Sequence, residues 1–205
     1  MSSATLIGVG VGPGDPELVT VKAVRVLREA DLVLVPVAGT GERGRAEATV
    51  LAHVSHDRLR RVAFALDAGA ERASREAAWD SAADTVAAAF GSGAGVVAFA
   101  TIGDPNVYST FTYLAATVRE RVPGLDVATI PGITAMQDLA ARSGTVLCEG
   151  NETLALLPLT AGIERFGQAL ATFDTVVGYK SGRHLPEAFD ASGQRQQRQR
   201  FVALA

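Results

Sequence analysis

The chain has 205 residues, 48% of them apolar and 20% charged, with a net charge of −3. That suits one large or two small domains with a sizeable core, and offers no basic surplus for general nucleic-acid binding. Its one cysteine, Cys148, excludes an internal disulfide framework and reads as a structural thiol in a reducing compartment. No apolar run approaches the ~18 residues of a spanning helix, and no basic stretch precedes the first apolar run. A soluble cytoplasmic protein is expected.

Short β-rich runs alternate with helical patterns. Residues 4–9 read as a strand. Asp15 is placed to cap a helix with Pro16 at its first position, carrying Leu18, Val21, Val24 and Leu27 on one side as far as Ala30. Leu32 to Val35 is a second strand, closed by Pro36. Residues 38–48 form an exposed loop, with a short helix near 46–54, and Val62 to Leu66 is a third strand. A long helix is predicted over 71–90, with Trp79, Ala83, Val86 and Phe90 at helical spacing. Gly95 to Ala100 is almost wholly apolar, as a strand buried on both faces would be.

A helix over 107–121, a strand over Asp126–Ile130 and a helix over Ile133–Arg142 follow. Polarity rises over 143–152. Strands at 153–157 and 174–180 flank a helix at 162–171, and a last helix starts after Gly182. Ser192 to Arg200 is nearly all Gln and Arg, without an apolar period, and is expected to be disordered or weakly helical. Repeated strand–helix units indicate an α/β protein with a mostly parallel sheet. The expected domains are 1–143, an N-terminal α/β domain, 144–190, a shortened C-terminal one, and 191–205, an atypical Gln/Arg-rich tail.

In open α/β sheets, ligands bind outside the carboxyl ends of the strands. Three loops stand there: Gly8 to Pro16, Thr101 to Pro105 and Ile130 to Ala135. The first is not a Walker loop, because Gly14 is followed by Asp15 rather than Lys. The dinucleotide spacing G-x-G-x-x-G fails in both registers, which lead to Pro13 and to Asp15. Asp31 has roughly the spacing of a ribose-binding acid but precedes its strand. The acid that precedes the glycines in the common Rossmann-type methyltransferase loop is replaced by Leu6. The loop therefore suits a less anionic ligand. Asp104, fixed between Gly103 and Pro105, is the sharpest single acid, as a ligand contact or as the cap of the helix starting at 107.

Gly8-Val9-Gly10-Val11-Gly12-Pro13-Gly14-Asp15-Pro16 and Gly103-Asp104-Pro105 together resemble the tetrapyrrole methylase family, from about Thr5 to about Leu185. Tyr108-Ser109-Thr110-Phe111, Ile130-Pro131-Gly132-Ile133-Thr134-Ala135-Met136 and Asn151-Glu152-Thr153-Leu154-Ala155-Leu156-Leu157-Pro158 narrow the match to members acting on precorrin-2. The resemblance implies the two-domain α/β tetrapyrrole methylase fold, a homodimer, and S-adenosyl-L-methionine folded in a cofactor cleft between the domains. It implies methyl transfer to C-20 of precorrin-2, or of cobalt-factor II, in cobalamin biosynthesis. A second reading is a truncated cofactor-binding remnant without turnover.

Carried over by position, Pro13 lines the cleft, and Ile102, Gly103 and Asp104 meet the cofactor's amino-acid part and ribose region. Val107 packs on it, Thr134 and Ala135 lie close, and Leu157 and Lys180 are candidates for the adenine wall. Tyr108 is the candidate catalytic residue. Arg43 and Arg45 are candidates for binding the carboxylates of the tetrapyrrole substrate. His53 and His56 lack a third ligand nearby, so no metal is expected.

Overall fold

The computed structural model describes residues 4–38, 43–64, 72–180, 182, 186, 188 and 200–203. The chain divides into two compact units, Met1–Thr134 and Ala135–Ala205. The division falls ahead of the 143/144 boundary expected from polarity, so the helix following Thr134 belongs to the second unit.

The first unit is built on a five-stranded sheet whose strand pairs are all parallel. Its strands are β1 (Thr5–Gly10), β2 (Leu32–Val37), β3 (Leu59–Ala63), β4 (Val96–Thr101) and β5 (Asp126–Ile130). Their order is β3-β2-β4-β1-β5. Four helices accompany them: α1 (Val21–Glu29), α2 (Arg45–Val50), α3 (Arg72–Gly91) and α4 (Phe111–Arg121). Alternation along the central strands sorts the helices to the two faces. Val97 and Phe99 of β4 pack with Leu114 and Val118 of α4 and with Ala83 and Val86 of α3. Ala98 and Ala100 pack with Ala23 and Leu27 of α1 and with Ala46 and Val50 of α2. Phe99 lies edge-on to Phe64 at 5.6 Å and stacks on Phe111 at 6.0 Å. Complete burial of such a ring is worth ~1.5–3 kcal/mol.

The small side chains on one face and large ones on the other let β4 sit in the middle of the sheet. The apolar run at 95–100 is thus a strand covered on both sides, as expected. α2 is held to the neighbouring edge by charge. Glu47, almost wholly buried, accepts from Nε and Nη2 of Arg61 on β3 at 2.8 and 2.9 Å.

Several predicted boundaries differ. The helix expected from Asp15 to Ala30 is broken. Asp15 caps only a 3-10 turn, Pro16–Leu18, accepting from Glu17 N at 2.9 Å. The chain is then extended, and Thr20 caps α1 by accepting from Ala23 N at 3.1 Å. The buried face of α1 is Ala23 and Leu27, and Val21, at its first position, lies off that face and is 87% exposed. β2 runs through Pro36 to Val37 rather than closing before it. β3 begins earlier than predicted, at Leu59, and Leu66 lies outside the described residues. The helix expected at 107 begins at Phe111.

Asp31, too early in sequence for a ribose contact, sits at the opposite edge of the sheet from the three loops. Its Oδ2 accepts from Gly95 N at 2.8 Å and Val96 N at 2.9 Å, tying the starts of β2 and β4. These N–H groups, Val96 foremost, hold its carboxyl below the usual carboxylate range. A depressed folded value means the carboxylate stabilises the fold above its unfolded pKa of about 3.9, and that the contribution is lost as pH falls through the folded value. We expect Asp31→Asn to melt below wild type at neutral pH. The gap should close as pH drops below about 4, as thermal melts across that range would record.

The second unit carries α5 (Ala135–Ser143), α6 (Ile163–Thr172) and a parallel sheet of β6 (Leu154–Pro158), β7 (Thr175–Tyr179) and β8 (Arg200–Ala203), in that order. Leu159, Phe166, Leu170 and Val176 form its core. Asp174 Oδ2 accepts from both Thr153 N and Thr153 Oγ1 at 2.8 Å, aligning the starts of β6 and β7. β8 corrects the expectation of a tail without regular structure. Arg200, predicted to be disordered or weakly helical, opens a strand that pairs with β7 from Thr175↔Arg200 to Gly178↔Ala203. Phe201-Val202-Ala203 supplies the apolar run that the Gln/Arg stretch before it lacks. The last helix expected after Gly182 falls largely outside the described residues.

Candidate functional site

The chain leaves β1 toward α1 on one face and leaves β4 toward α4 on the other. β1 and β4 are neighbours, so their carboxyl ends form a topological switch point, where loops diverge and ligands bind in open α/β sheets. β5 pairs with β1 on its other side and brings the third loop to the same edge.

The loops are joined through their backbones. Val11 N donates to Thr101 O at 2.9 Å, and Gly103 N donates to Gly12 O at 2.8 Å, making an isolated antiparallel bridge between Gly12 and Gly103. A Cβ on Gly10 would lie 2.5 Å from Gly103 O and 2.6 Å from Gly132 N. A Cβ on Gly132 would strike Gly103 O as well, and would lie 2.8 Å from Gly10 Cα. Three separate loops thus meet where only backbone fits.

Asp104 locks this junction. Its Oδ1 accepts from Asn106 N at 2.8 Å, closing a tight turn, and its Oδ2 accepts from Gly132 N at 3.0 Å. It is not the cap of α4, as one expectation had it. Six residues, 105–110, intervene before Phe111, and Ser109 serves that end of the helix, accepting from Phe111 N at 3.2 Å and donating to Thr101 Oγ1 at 3.1 Å. Asn106 Nδ2 adds a second tie to β5, donating to Thr129 Oγ1 at 3.3 Å.

Two supports of the glycine loop were invisible in sequence. Thr49 on α2 directs its hydroxyl between Arg45 O at 3.0 Å and Gly14 O at 3.2 Å. His53 Nε2 lies 2.9 Å from Pro16 O. A carbonyl only accepts, so this nitrogen carries the proton and His53 braces the loop. No spacing rule links α2 to a loop more than thirty residues earlier; only the packed helix does. Among the described residues no group of three or more His, Cys, Asp or Glu could hold a metal ion.

Of the residues singled out from sequence, Pro13, Ile102, Gly103, Asp104, Val107 and Thr134 all lie on these joined loops of the first unit, with Thr134 buried and its Cα close to Gly103. Ala135 opens α5. Leu157 and Lys180 stand at the carboxyl ends of β6 and β7, where Leu157 pairs with Gly178 and Lys180 follows Tyr179. Arg45 is the first residue of α2 and Arg43 is exposed just before it, so both flank the helix that braces the glycine loop. Cys148, expected to be structural, is exposed in the connection before β6. Tyr108 and Lys180 are the two described non-glycine residues with positive φ, at +49° and +55°.

The donor set is distinctive. Between Gly10 and Pro16, Thr101 and Tyr108, and Ile130 and Ala135 there is no Lys or Arg, while Asp15 and Asp104 are present. Such a site offers backbone groups and negative charge. It fits a ligand bearing sulfonium and ammonium charges, and does not fit a pyrophosphate.

A strand-end site of this kind on a doubly wound sheet defines a small-molecule-binding α/β protein. The chain belongs to the Tetrapyrrole (Corrin/Porphyrin) Methylases, whose family model matches residues 5–205. It is 37% identical over 198 residues to a precorrin-2 C(20)-methyltransferase of Sinorhizobium sp, covering 92% of this chain and 79% of the relative. It is 29% identical over 174 residues to the cobalt-precorrin-2 C(20)-methyltransferase of Salmonella typhimurium, covering 84% and 70%. In fold it resembles the uroporphyrin-III C-methyl transferase of Thermus thermophilus complexed with S-adenyl homocysteine. That likeness has a TM-score of 0.59 and 22% identity, over 95% of this chain and 78% of that one. No described helix is long and apolar enough to cross a membrane.

Proposed function

We propose that the protein transfers a methyl group from S-adenosyl-L-methionine to C-20 of precorrin-2, metal-free or as cobalt-factor II, in corrin-ring assembly for cobalamin. The observation that carries this reading is the convergence of three strand-end loops that offer backbone groups and Asp104 but no cation. Membership of the tetrapyrrole methylases and the names of its relatives supply the substrate class.

S-adenosyl-L-methionine, when bound, supplies a methyl group already activated on a positive sulfur. The work left to the chain is binding, alignment and exclusion of water. Ile102, Gly103 and Asp104 hold the amino-acid part and the ribose region. Pro13, Val107, Thr134 and Ala135 complete the wall, and Leu157 and Lys180 take the adenine side. Arg43 and Arg45 receive carboxylates of the substrate, whose charge they match. The conjugated substrate delivers electron density to its own meso carbon, so no strong nucleophile is needed from the protein. We read the active species as a cytoplasmic homodimer, which sedimentation equilibrium would test.

The reading is tested by calorimetric titration with S-adenosylhomocysteine, then by turnover with precorrin-2 and with cobalt-factor II, followed by mass spectrometry. Micromolar binding and a product heavier by one methyl group are expected. Folded protein that binds no S-adenosylhomocysteine would sink it.

A further inference from the structure

Tyr108 occupies a position that sequence and packing economy both disfavour. Its φ of +49° lies in the left-handed region, where a residue with a Cβ is strained and where glycine or asparagine is the ordinary choice. Tyr108 is 43% exposed, while Phe111, three residues on, is buried. The surrounding loop over-determines the conformation. Asp104 accepts from Asn106 N, Asp104 O accepts from Val107 N at 3.2 Å, Asn106 reaches Thr129, and Ser109 is held by Thr101. Strain of this kind, maintained on both sides by hydrogen bonds at a ligand-binding edge, marks a side chain kept for what it presents.

We infer that Tyr108 is a specificity-determining contact for the tetrapyrrole substrate and is separate from the cofactor wall. The inference rests on the methyl-transfer reading above. A flat ring with a polar tip suits a flat conjugated macrocycle fringed with carboxylates. The ring face meets the macrocycle, and the hydroxyl donates to a carboxylate oxygen. Asp104, Gly103 and Val107 precede it on the same loop, so the loop would place cofactor contacts first and a substrate contact after them.

The test uses the full chain and the variants Tyr108→Gly, Tyr108→Phe and Tyr108→Asn. Glycine relieves the strain while removing the ring, so Tyr108→Gly is expected to melt at or above the wild-type temperature. Its affinity for S-adenosylhomocysteine should stay within about twofold, while KM for precorrin-2 rises about tenfold or more and kcat changes less. Tyr108→Phe should recover most of the loss, and Tyr108→Asn, which also tolerates positive φ, should recover none. Uroporphyrin III, a stable octacarboxylate, serves as a second probe by fluorescence titration, with the same ranking of affinities expected. Unchanged KM and unchanged uroporphyrin III affinity in Tyr108→Gly would overturn the inference. So would an equal loss of S-adenosylhomocysteine affinity, or a wild type that binds no tetrapyrrole. A wild type that binds uroporphyrin III through Tyr108 yet transfers no methyl group would leave the contact standing and remove the proposed reaction instead.

Discussion

Asp104→Ala is expected to weaken binding of S-adenosylhomocysteine by about 1–3 kcal/mol, roughly fivefold to more than a hundredfold in Kd. The loss has two sources. The carboxylate accepts from Asn106 N and from Gly132 N, and both donors are stranded when it goes. The third loop then loses its tie to the β4 loop, so the site loosens as well as losing a polar contact. Thermal stability should fall too, by about 1–2 kcal/mol, because one of the two bonds is partly buried. Asp104→Asn keeps one acceptor but turns an NH2 toward the other N–H, so it should fall between wild type and alanine. Calorimetry and thermal melts on the same preparations separate the roles. A melt that drops while Kd stays unchanged would make Asp104 a brace alone.

The largest loss of stability is expected from Gly132→Ala. The new Cβ would be driven into Gly103 O and would lie 2.8 Å from both Cα and C of Gly10. These neighbours are backbone, so no rotamer change relieves the clash. The β1, β4 and β5 loops must separate instead. Overpacking that side chains can absorb costs ~1–3 kcal/mol, and this substitution should exceed that range and abolish cofactor binding. Gly91→Ala is the matched control. A Cβ there meets nothing within 4 Å at the end of α3, so unfolding by denaturant should show little change or a slight gain. Near-wild-type stability of Gly132→Ala would show that the three-loop junction has more room than its geometry allows.

Some of this could be anticipated locally and some could not. The apolar run Gly95–Ala100 announces a strand covered on both faces, and β4 is one, because continuous apolarity reports burial whatever the neighbours are. Asp104 was identifiable as a residue fixed between Gly103 and Pro105, but not its purpose. Local capping rules point it at the next helix, whereas its strongest non-local partner is Gly132 N, 28 residues on. α1 shows the same limit at short range. Asp15 and Thr20 both carry capping chemistry, and only the packing of Ala23 and Leu27 against the sheet shows that Thr20 starts the helix. Thr49 and His53 had no sequence signal as loop supports, because their partners are carbonyls that every residue possesses.

Periodicity and punctuation in the chain alone determined an α/β protein of parallel strands. They also determined three glycine–proline loops at strand ends and a first loop unsuited to phosphate. These follow from burial patterns and turn chemistry, which act within a few residues. Tertiary structure decided that β1 lies between β4 and β5, that their loops close on one another at Gly10, Gly103 and Gly132, and that Tyr108 is held at positive φ. Strand order and close backbone approach come from pairing energies between segments far apart in the chain. No local pattern records which segment will be the partner.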